Sequence, residues 1–342
     1  MGRQASLNEV ASGRPRSGPP LSQSLASAGL SHCAEAATTG SRSGLRRRKT
    51  GAVTAYPDDP GLVRVLSELG VGPESLLGHG GEAWVYALDE ARVVRVLHRG
   101  GSPAQLLFNK ELIDELSNPA VLPFDLPSLL SIGEVGGRTY AIERRLTGRS
   151  MLQELERAEG AGRDRLIEAY LEAAYVLGEA PLRPRDYFGD LVSSQPVRSD
   201  TWRGYLVDKA AASLASGGLF ANVDPRALAE ALPDSEHAGL VHLDAFAGNM
   251  MTHGGRITAV LDLGPACVAG DPRFNAVCAA VYLAAPQVTP PATSRDGRVA
   301  EAWLRSHGLL ELVRPVRRWL GAYWAFAVDD PKVIDWCRLI LE

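Results

Sequence analysis

The tightest constraint on this chain is a short set of polar residues in fixed order: His242-Leu243-Asp244, then Asn249, then Asp262-Leu263-Gly264. Between Asn249 and Asp262, Met250 to Thr252 and Arg256 to Leu261 read as two short strands flanking Gly254-Gly255, a dipeptide suited to a tight hairpin turn. Pairing His253 with Arg256 sets Asn249 opposite Val260, two residues short of Asp262. An amide oxygen and a carboxylate brought together in this way can share a hard cation such as magnesium. Asp244, on the incoming loop, is then placed to orient a hydroxyl and accept its proton. His242 reads as a residue that braces the loop. A zinc site made from His242, Asp244 and His253 is the competing assignment, but it leaves the Gly-Gly hairpin and the upstream half without a role.

Upstream, Gly78-His79-Gly80-Gly81-Glu82-Ala83-Trp84-Val85 spells G-x-G-x-x-A-x-V in the turn between two expected strands. Glycines at 78, 80 and 81 let the backbone approach phosphate oxygens and present its N–H groups, and a following strand argues against a dinucleotide fold. Alternation along Val93 to Leu97 puts Arg95 on the face beneath that loop. In kinase-type folds a cation here holds the phosphates and pairs with a helix carboxylate. Glu111 is the expected partner, with Glu115 one helical turn later as substitute. Thr139 to Arg144 reads as the strand before a hinge whose backbone meets a nucleobase edge, near Glu143 and Arg144.

The order of elements gives the fold class. Strands are expected at Leu76 to Gly78, Ala83 to Leu88, Val93 to Leu97, Leu129 to Glu134 and Thr139 to Arg144, with a helix over Pro103 to Leu116. Amphipathic helices follow around Arg163 to Leu177, Trp202 to Leu214, Asp296 to Ser306 and Leu309 to Phe326. This is an α+β chain in two lobes, with the site expected where they meet. Residues 1–52 form a Ser-, Ala- and Arg-rich segment without apolar periodicity, read as a disordered basic tail. Residues 53–147 form the nucleotide-binding lobe, and 148–342 the helical catalytic and acceptor lobe. The tail carries eight basic residues against Glu9 and Glu35, which leaves the rest of the chain near −10 within a total of −4. Loose transit-peptide and myristoylation patterns can also be traced at the N-terminus, and a plain solvated tail is preferred to them.

Composition narrows the function classes. The chain is 342 residues long and 45% apolar, enough for two packed lobes. Its negative charge does not suit nucleic acid, and no apolar run is long enough to span a membrane. Four scattered cysteines without a C-x-x-C pair suggest neither a zinc ribbon nor a disulfide scaffold, and fit a cytoplasmic setting.

Over about residues 72–342 the motifs resemble the aminoglycoside phosphotransferase and choline-kinase-like superfamily, relatives of protein kinases. The family's H-G-D-x-x-x-x-N is matched by His242-Leu243-Asp244 to Asn249, its D-F-G-like element by Asp262-Leu263-Gly264, and its G-D-P stretch by Gly270-Asp271-Pro272. The resemblance implies the bilobed protein-kinase-like fold, with a small antiparallel sheet lobe and a larger helical lobe. It also implies ATP and Mg2+ as cofactors, Asp244 as the catalytic aspartate, and Asn249 and Asp262 as magnesium ligands. Departures are Leu243 for the usual Gly, Arg95 for Lys, and Asn275 where an acidic residue is common. Only Pro265 to Ala269 separate the second motif from Gly270, too few for a peptide-cradling activation segment. The expected reaction is therefore transfer of the ATP γ-phosphate to a hydroxyl of a small acceptor. The alternative is a catalytically silent nucleotide-binding pseudokinase, suggested by Arg95.

Residues 181–236 would cap the acceptor cleft in this family, although Trp202 and Tyr205 read first as helix packing, and Trp319, Tyr323 and Phe326 as a core stripe. Residues 149–342 hold 25 acidic against 20 basic residues, a slight bias toward an amine-bearing acceptor such as an aminoglycoside. Its carboxylate partners would come from Asp186, Asp190, Asp200, Asp208, Asp329, Asp330, Asp335 and Glu342.

Overall fold

The computed structural model describes residues 59–80, 83–98, 100–118 and 121–342. The basic tail and Gly81 lie outside the described residues.

Helix α1 (Pro60–Glu68) starts where the Asp59 carboxylate accepts from the Leu62 amide at 2.9 Å, with proline at the first helical position. It buries Leu62, Val65 and Leu66 against Tyr86, Val94 and Val96. These last belong to a sheet of β1 (Leu76–His79), β2 (Ala83–Ala87), β3 (Arg92–Leu97), β4 (Leu129–Val135) and β5 (Arg138–Arg144). All neighbours are antiparallel, in the order β1-β2-β3-β5-β4. The other face of the sheet packs Ala83, Leu97 and Ala141 against Leu106 of α2 (Pro103–Leu116), a helix with the expected bounds. Strand alternation puts Arg95 on this second face, toward α2.

After β5 the chain forms β6 (Arg149–Ser150), α3 (Met151–Leu155), α4 (Gly160–Leu177), β7 (Phe188–Asp190), β8 (Arg198–Ser199), α5 (Trp202–Gly217) and α6 (Pro225–Glu230). Then come β9 (Gly239–His242), β10 (Met250–His253), β11 (Arg256–Val260), β12 (Cys267–Gly270), α7 (Phe274–Leu283), α8 (Ser294–Ser306), α9 (Val313–Tyr323) and α10 (Pro331–Leu341). Two small sheets, β11-β10-β6 and β8-β7-β12-β9, lie among these helices.

The helical body has one continuous core centred on α7, every residue of which is buried. A helix apolar on all sides must sit inside. The stripe at Leu309 to Phe326 is one expected helix broken by 3-10 turns at both ends of α9, and Trp319 and Tyr323 are buried as core residues. Helices α4 and α8 are clamped by Arg163, whose Nε and Nη2 donate to the two oxygens of the fully buried Asp296 carboxylate at 2.8 and 2.6 Å. Asp296 also completes the capping box of α8 with Thr293. Among the described residues, no helix is long and apolar enough to cross a membrane.

Candidate active site

Strand β9 ends at His242 and delivers the loop that carries Asp244. The loop is held from several sides: the Leu243 amide donates to Ala266 O at 2.9 Å, the Tyr170 hydroxyl to Ala245 O at 2.8 Å, and the Tyr282 hydroxyl to Leu243 O. Leu243, where the resembling family has glycine, is wholly buried. Asn275 replaces the usual acid with an amide that uses both ends. Its Oδ1 accepts from the His242 amide at 2.8 Å, and its Nδ2 donates to Leu240 O at 2.8 Å and Pro272 O at 3.1 Å. A carboxylate there could not donate to those two carbonyls.

His242 braces the next turn. Its Nδ1 accepts from the Asp244 amide at 3.3 Å and its Nε2 faces Leu261 O at 3.1 Å, an arrangement satisfied by the neutral Nε2–H tautomer. Burial holds its pKa below the usual imidazole value, against the opposite pull of Asp262 and the Leu261 carbonyl.

Asp244 itself is buried, and Asn249, at the end of a short 3-10 turn, donates Nδ2 to the Asp244 carbonyl and to its Oδ2. The hairpin after Asn249 turns through Gly254 and Gly255 at φ 59° and 77°, the left-handed pair that a two-residue turn of this hand requires. His253 pairs with Arg256 as the sequence suggests, but a bulge between Met251 and Thr252 moves the remainder by one residue. Met250, not Asn249, therefore faces Val260, and Asn249 accepts from the Leu261 amide at 2.8 Å. The bulge brings Asn249 one residue closer to Asp262 than an unbroken ladder would. Asp262 is the one non-glycine among the described residues with positive φ, 58°.

The donor set of Asn249 and Asp262 suits a hard divalent ion: the Asn249 amide nitrogen is turned to Asp244, so its Oδ1 is the end left for a cation, and Asp262 supplies a carboxylate. Among the described residues no cluster of three or more His, Cys, Asp or Glu side chains is disposed to hold a metal, which leaves the zinc assignment of His242, Asp244 and His253 without support.

On the nucleotide side one expectation is corrected. Arg95 pairs with Glu143 of β5, Nε to Oε1 at 3.1 Å and Nη2 to Oε2 at 3.2 Å, rather than with Glu111. The face of α2 that lines the cleft is Leu106, Asn109, Lys110 and Ile113, and Glu111 falls off it into solvent. Glu115 is not the substitute either, for its carboxylate accepts from Arg185 Nη2 at 2.8 and 2.9 Å and from the Arg183 amide at 2.6 Å. Asp262 and Leu263 line the same cleft as Arg95, and Asn109 packs against Gly264. Gly78 is buried in β1, and Gly80 is tied on both sides, its amide to Ala83 O at 3.0 Å and its carbonyl to His98 Nε2 at 2.8 Å. Arg144 is exposed and ion-paired to Asp125 at 3.2 Å.

The connection that follows β5 is fastened to the β10–β11 hairpin. The Thr258 hydroxyl donates to Thr147 O at 2.9 Å, and β6 pairs with β10. Gly148 sits at φ 124°, where an added Cβ would lie 2.6 Å from Thr252 O.

Among the acidic residues expected to meet an acceptor, Asp190 is already used. It is buried and takes Lys209 Nζ at 2.9 Å on both oxygens, the Tyr205 hydroxyl at 3.1 Å and the Val197 amide at 3.0 Å. Asp330 caps α10, and Asp335 pairs with Arg338. Asp186, Asp200, Asp208 and Asp329 remain exposed.

Comparison with known proteins places these features in context. The model of the phosphotransferase enzyme family (APH) matches residues 75–320. Hygromycin-B 4-O-kinase of Escherichia coli is 31% identical over 173 residues, which take in 46% of this chain and 47% of that protein, so the match spans about half the length of the curated relative. Among solved structures, the streptomycin–ATP–APH(2'')-IIa ternary complex aligns with a TM-score of 0.56 at 15% identity, covering 84% of this chain and 97% of that one. Aminoglycoside phosphotransferase APH(2'')-Ib bound to ADP gives a TM-score of 0.52 at 16% identity, covering 78% and 91%. The fold is thus the bilobed α+β fold of the aminoglycoside phosphotransferases, as the motifs led one to expect.

Proposed function

The chain belongs to the phosphotransferase enzyme family, and we propose that it transfers the γ-phosphoryl group of ATP to a hydroxyl of a small, amine-bearing acceptor, with an aminoglycoside as the leading candidate. The observation that carries this reading is the bonding of Asn249 to Asp244 on one side and to the Leu261 amide, next to Asp262, on the other. It ties a buried carboxylate suited to accept a proton to an amide that neighbours Asp262 across the hairpin.

In the proposed reaction Asp244 orients the acceptor hydroxyl and takes its proton as the oxygen bonds to the γ-phosphorus, while the bond to the β–γ bridging oxygen breaks and ADP leaves. Asn249 and Asp262 would hold magnesium, which when bound neutralises phosphate charge. Arg95 holds phosphate oxygens from β3, and the turn that begins at Gly78 and Gly80 covers them. His242, kept neutral by burial, supports the loop without exchanging protons. Catalysis of this kind is positioning and charge compensation, for which these few groups suffice.

Two relatives support the acceptor class: a Hygromycin-B 4-O-kinase in sequence, and in fold a protein solved as a complex with both streptomycin and ATP. The short link from Gly264 to Gly270 supports a small acceptor over a peptide. A cytoplasmic location follows from the need for ATP. The test is magnesium-dependent ADP release with hygromycin B, streptomycin, gentamicin and kanamycin beside amino alcohols and uncharged sugars. Acceptor-stimulated ADP release is expected with at least one amine-bearing compound. No stimulation by any acceptor, with nucleotide bound, would remove the activity, and a preference for an uncharged sugar would remove the amine requirement.

A further inference from the structure

We propose that Glu143 is the positioning residue for Arg95, so that the phosphate-binding cation is set within the sheet itself and not by a carboxylate on α2. The inference rests on the reading of Arg95 as a phosphate ligand given above.

Strand register makes the pair possible. Arg95 stands opposite Ala141, and Glu143 lies two residues further along β5, opposite Val93. Diagonal neighbours on one sheet face are within reach of long side chains. The carboxylate meets the edge of the guanidinium formed by Nε and Nη2, with one contact to each oxygen, which fixes the plane as well as the position of the cation. Both side chains are largely buried, at 22% and 12% exposure, so the pair is less screened than a surface contact.

The acids of α2 argue the same way by their placement. The helix carries three, Glu111, Asp114 and Glu115. Glu111 is exposed off the cleft face, Asp114 pairs with Lys110, and Glu115 is bonded to Arg183 and Arg185 in the helical body. The positions of α2 that do line the cleft bring an amide, Asn109, and a cation, Lys110. Lys110 would repel an uncompensated Arg95, and among the described residues lining that cleft Glu143 supplies a carboxylate bonded to the guanidinium. Asp262, the other acid there, is assigned to the metal. What α2 contributes is packing, Asn109 against Gly264, and a tie to the opposite lobe through Glu115. The cation of the nucleotide site is therefore ready without any movement of α2.

The test is a double-mutant cycle on the full chain with Glu143→Gln, Arg95→Met and the double variant. Binding of ADP with magnesium is read by calorimetry, and KM for ATP, kcat and melting temperature are read beside it. Glu143→Gln should weaken ADP binding by about tenfold and raise KM for ATP more than it lowers kcat. In the Arg95→Met background it should have no further effect on nucleotide affinity, because the carboxylate acts through the guanidinium. Unchanged ADP affinity in Glu143→Gln, with or without a fall in melting temperature, overturns the inference. So does an undiminished effect in the Arg95→Met background. ADP binding needs no acceptor, so a chain that binds ADP and phosphorylates nothing would remove the proposed activity while leaving this cycle interpretable.

Discussion

Asn249 reaches Asp244 twice, donating its side-chain amide to the main-chain carbonyl at 2.9 Å and to carboxylate Oδ2 at 3.1 Å. One amide group thus sets the rotation of the carboxylate that would take the acceptor proton. With its Nδ2 committed to Asp244, the oxygen of the same amide is the end left for a cation. In the proposed reaction, proton acceptance at Asp244 and metal binding would be joined through this one side chain, and substitutions on either side should be separable by what they measure.

Asp244→Asn keeps an acceptor oxygen for Asn249 while removing the base. Turnover should fall by about 10²- to 10⁴-fold, with ADP affinity within about twofold of the parent because no phosphate contact is lost. Steady-state rates with the best acceptor, and calorimetry with ADP, check both halves. A variant that turns over normally would take Asp244 out of the chemistry.

At Asp262 two substitutions separate charge from backbone strain. The residue sits at φ 58°, a conformation that asparagine tolerates and alanine resists at a cost of about 1–2 kcal/mol. Asp262→Asn should weaken the magnesium dependence of ADP binding with little change in melting temperature, and Asp262→Ala should show the same binding loss plus destabilisation. Magnesium titrations that superimpose on the parent's would exclude a ligand role.

Far from the site, Asp296→Ala should cost about 3–5 kcal/mol of stability, since it strands the Arg163 guanidinium beside α8 and removes the capping box. Burial alone would raise the Asp296 pKa, but bonds from Arg163 and the Thr293 backbone outweigh it and hold the group below the ordinary carboxylate value. The stability it contributes is fully present above the unfolded value of about 3.9 and is lost progressively as pH falls from there through the lower folded value. Urea denaturation of parent and variant should show a smaller stability gap near pH 3 than near pH 7.

His242 gives a pH effect of different origin. Its folded pKa is lowered, so as pH drops below about 6.5 the unfolded chain takes up the proton first and stability declines, by at most about 1.4 kcal/mol per pH unit. Above that pH the group has no effect. Denaturation curves from pH 7.5 to 5 should show a shallower slope in His242→Gln than in the parent, and equal slopes would mean that the imidazole is protonated in the native state.

Much of this was legible in local order. The sequence H-x-D-x-x-x-x-N, the Gly-Gly hairpin and D-x-G lie within a short stretch where chain connectivity leaves few arrangements, and α2 has the bounds expected of it, Pro103 to Leu116. What failed needed knowledge of pairing between distant segments. The bulge at Met251/Thr252 shifts the hairpin by one residue without any glycine or proline to announce it. Glu143 could be recognised as the partner of Arg95 only from the β3–β5 register, although a charge on a buried strand face is a signal that some partner exists. Asp190 looked available for an acceptor because Lys209 and Tyr205, which occupy it, are 19 and 15 residues away. Helix α7 escaped amphipathic analysis because it has no polar face, and β7 to β9 with β12 are strands of two to four residues.

The fastening of the interlobe strand at Gly148 bears on how the protein can be taken apart. Because Thr147 and β6 are stitched to the hairpin that follows Asn249, the segment leaving the small sheet is also an edge of the element between Asn249 and Asp262. A split of the chain into two separately produced fragments at this point would remove the hairpin's third strand along with the hinge. Fragments meant to reassemble should therefore be divided at an exposed turn outside this stretch, such as Ser306 to Gly308, leaving residues 144–264 in one piece.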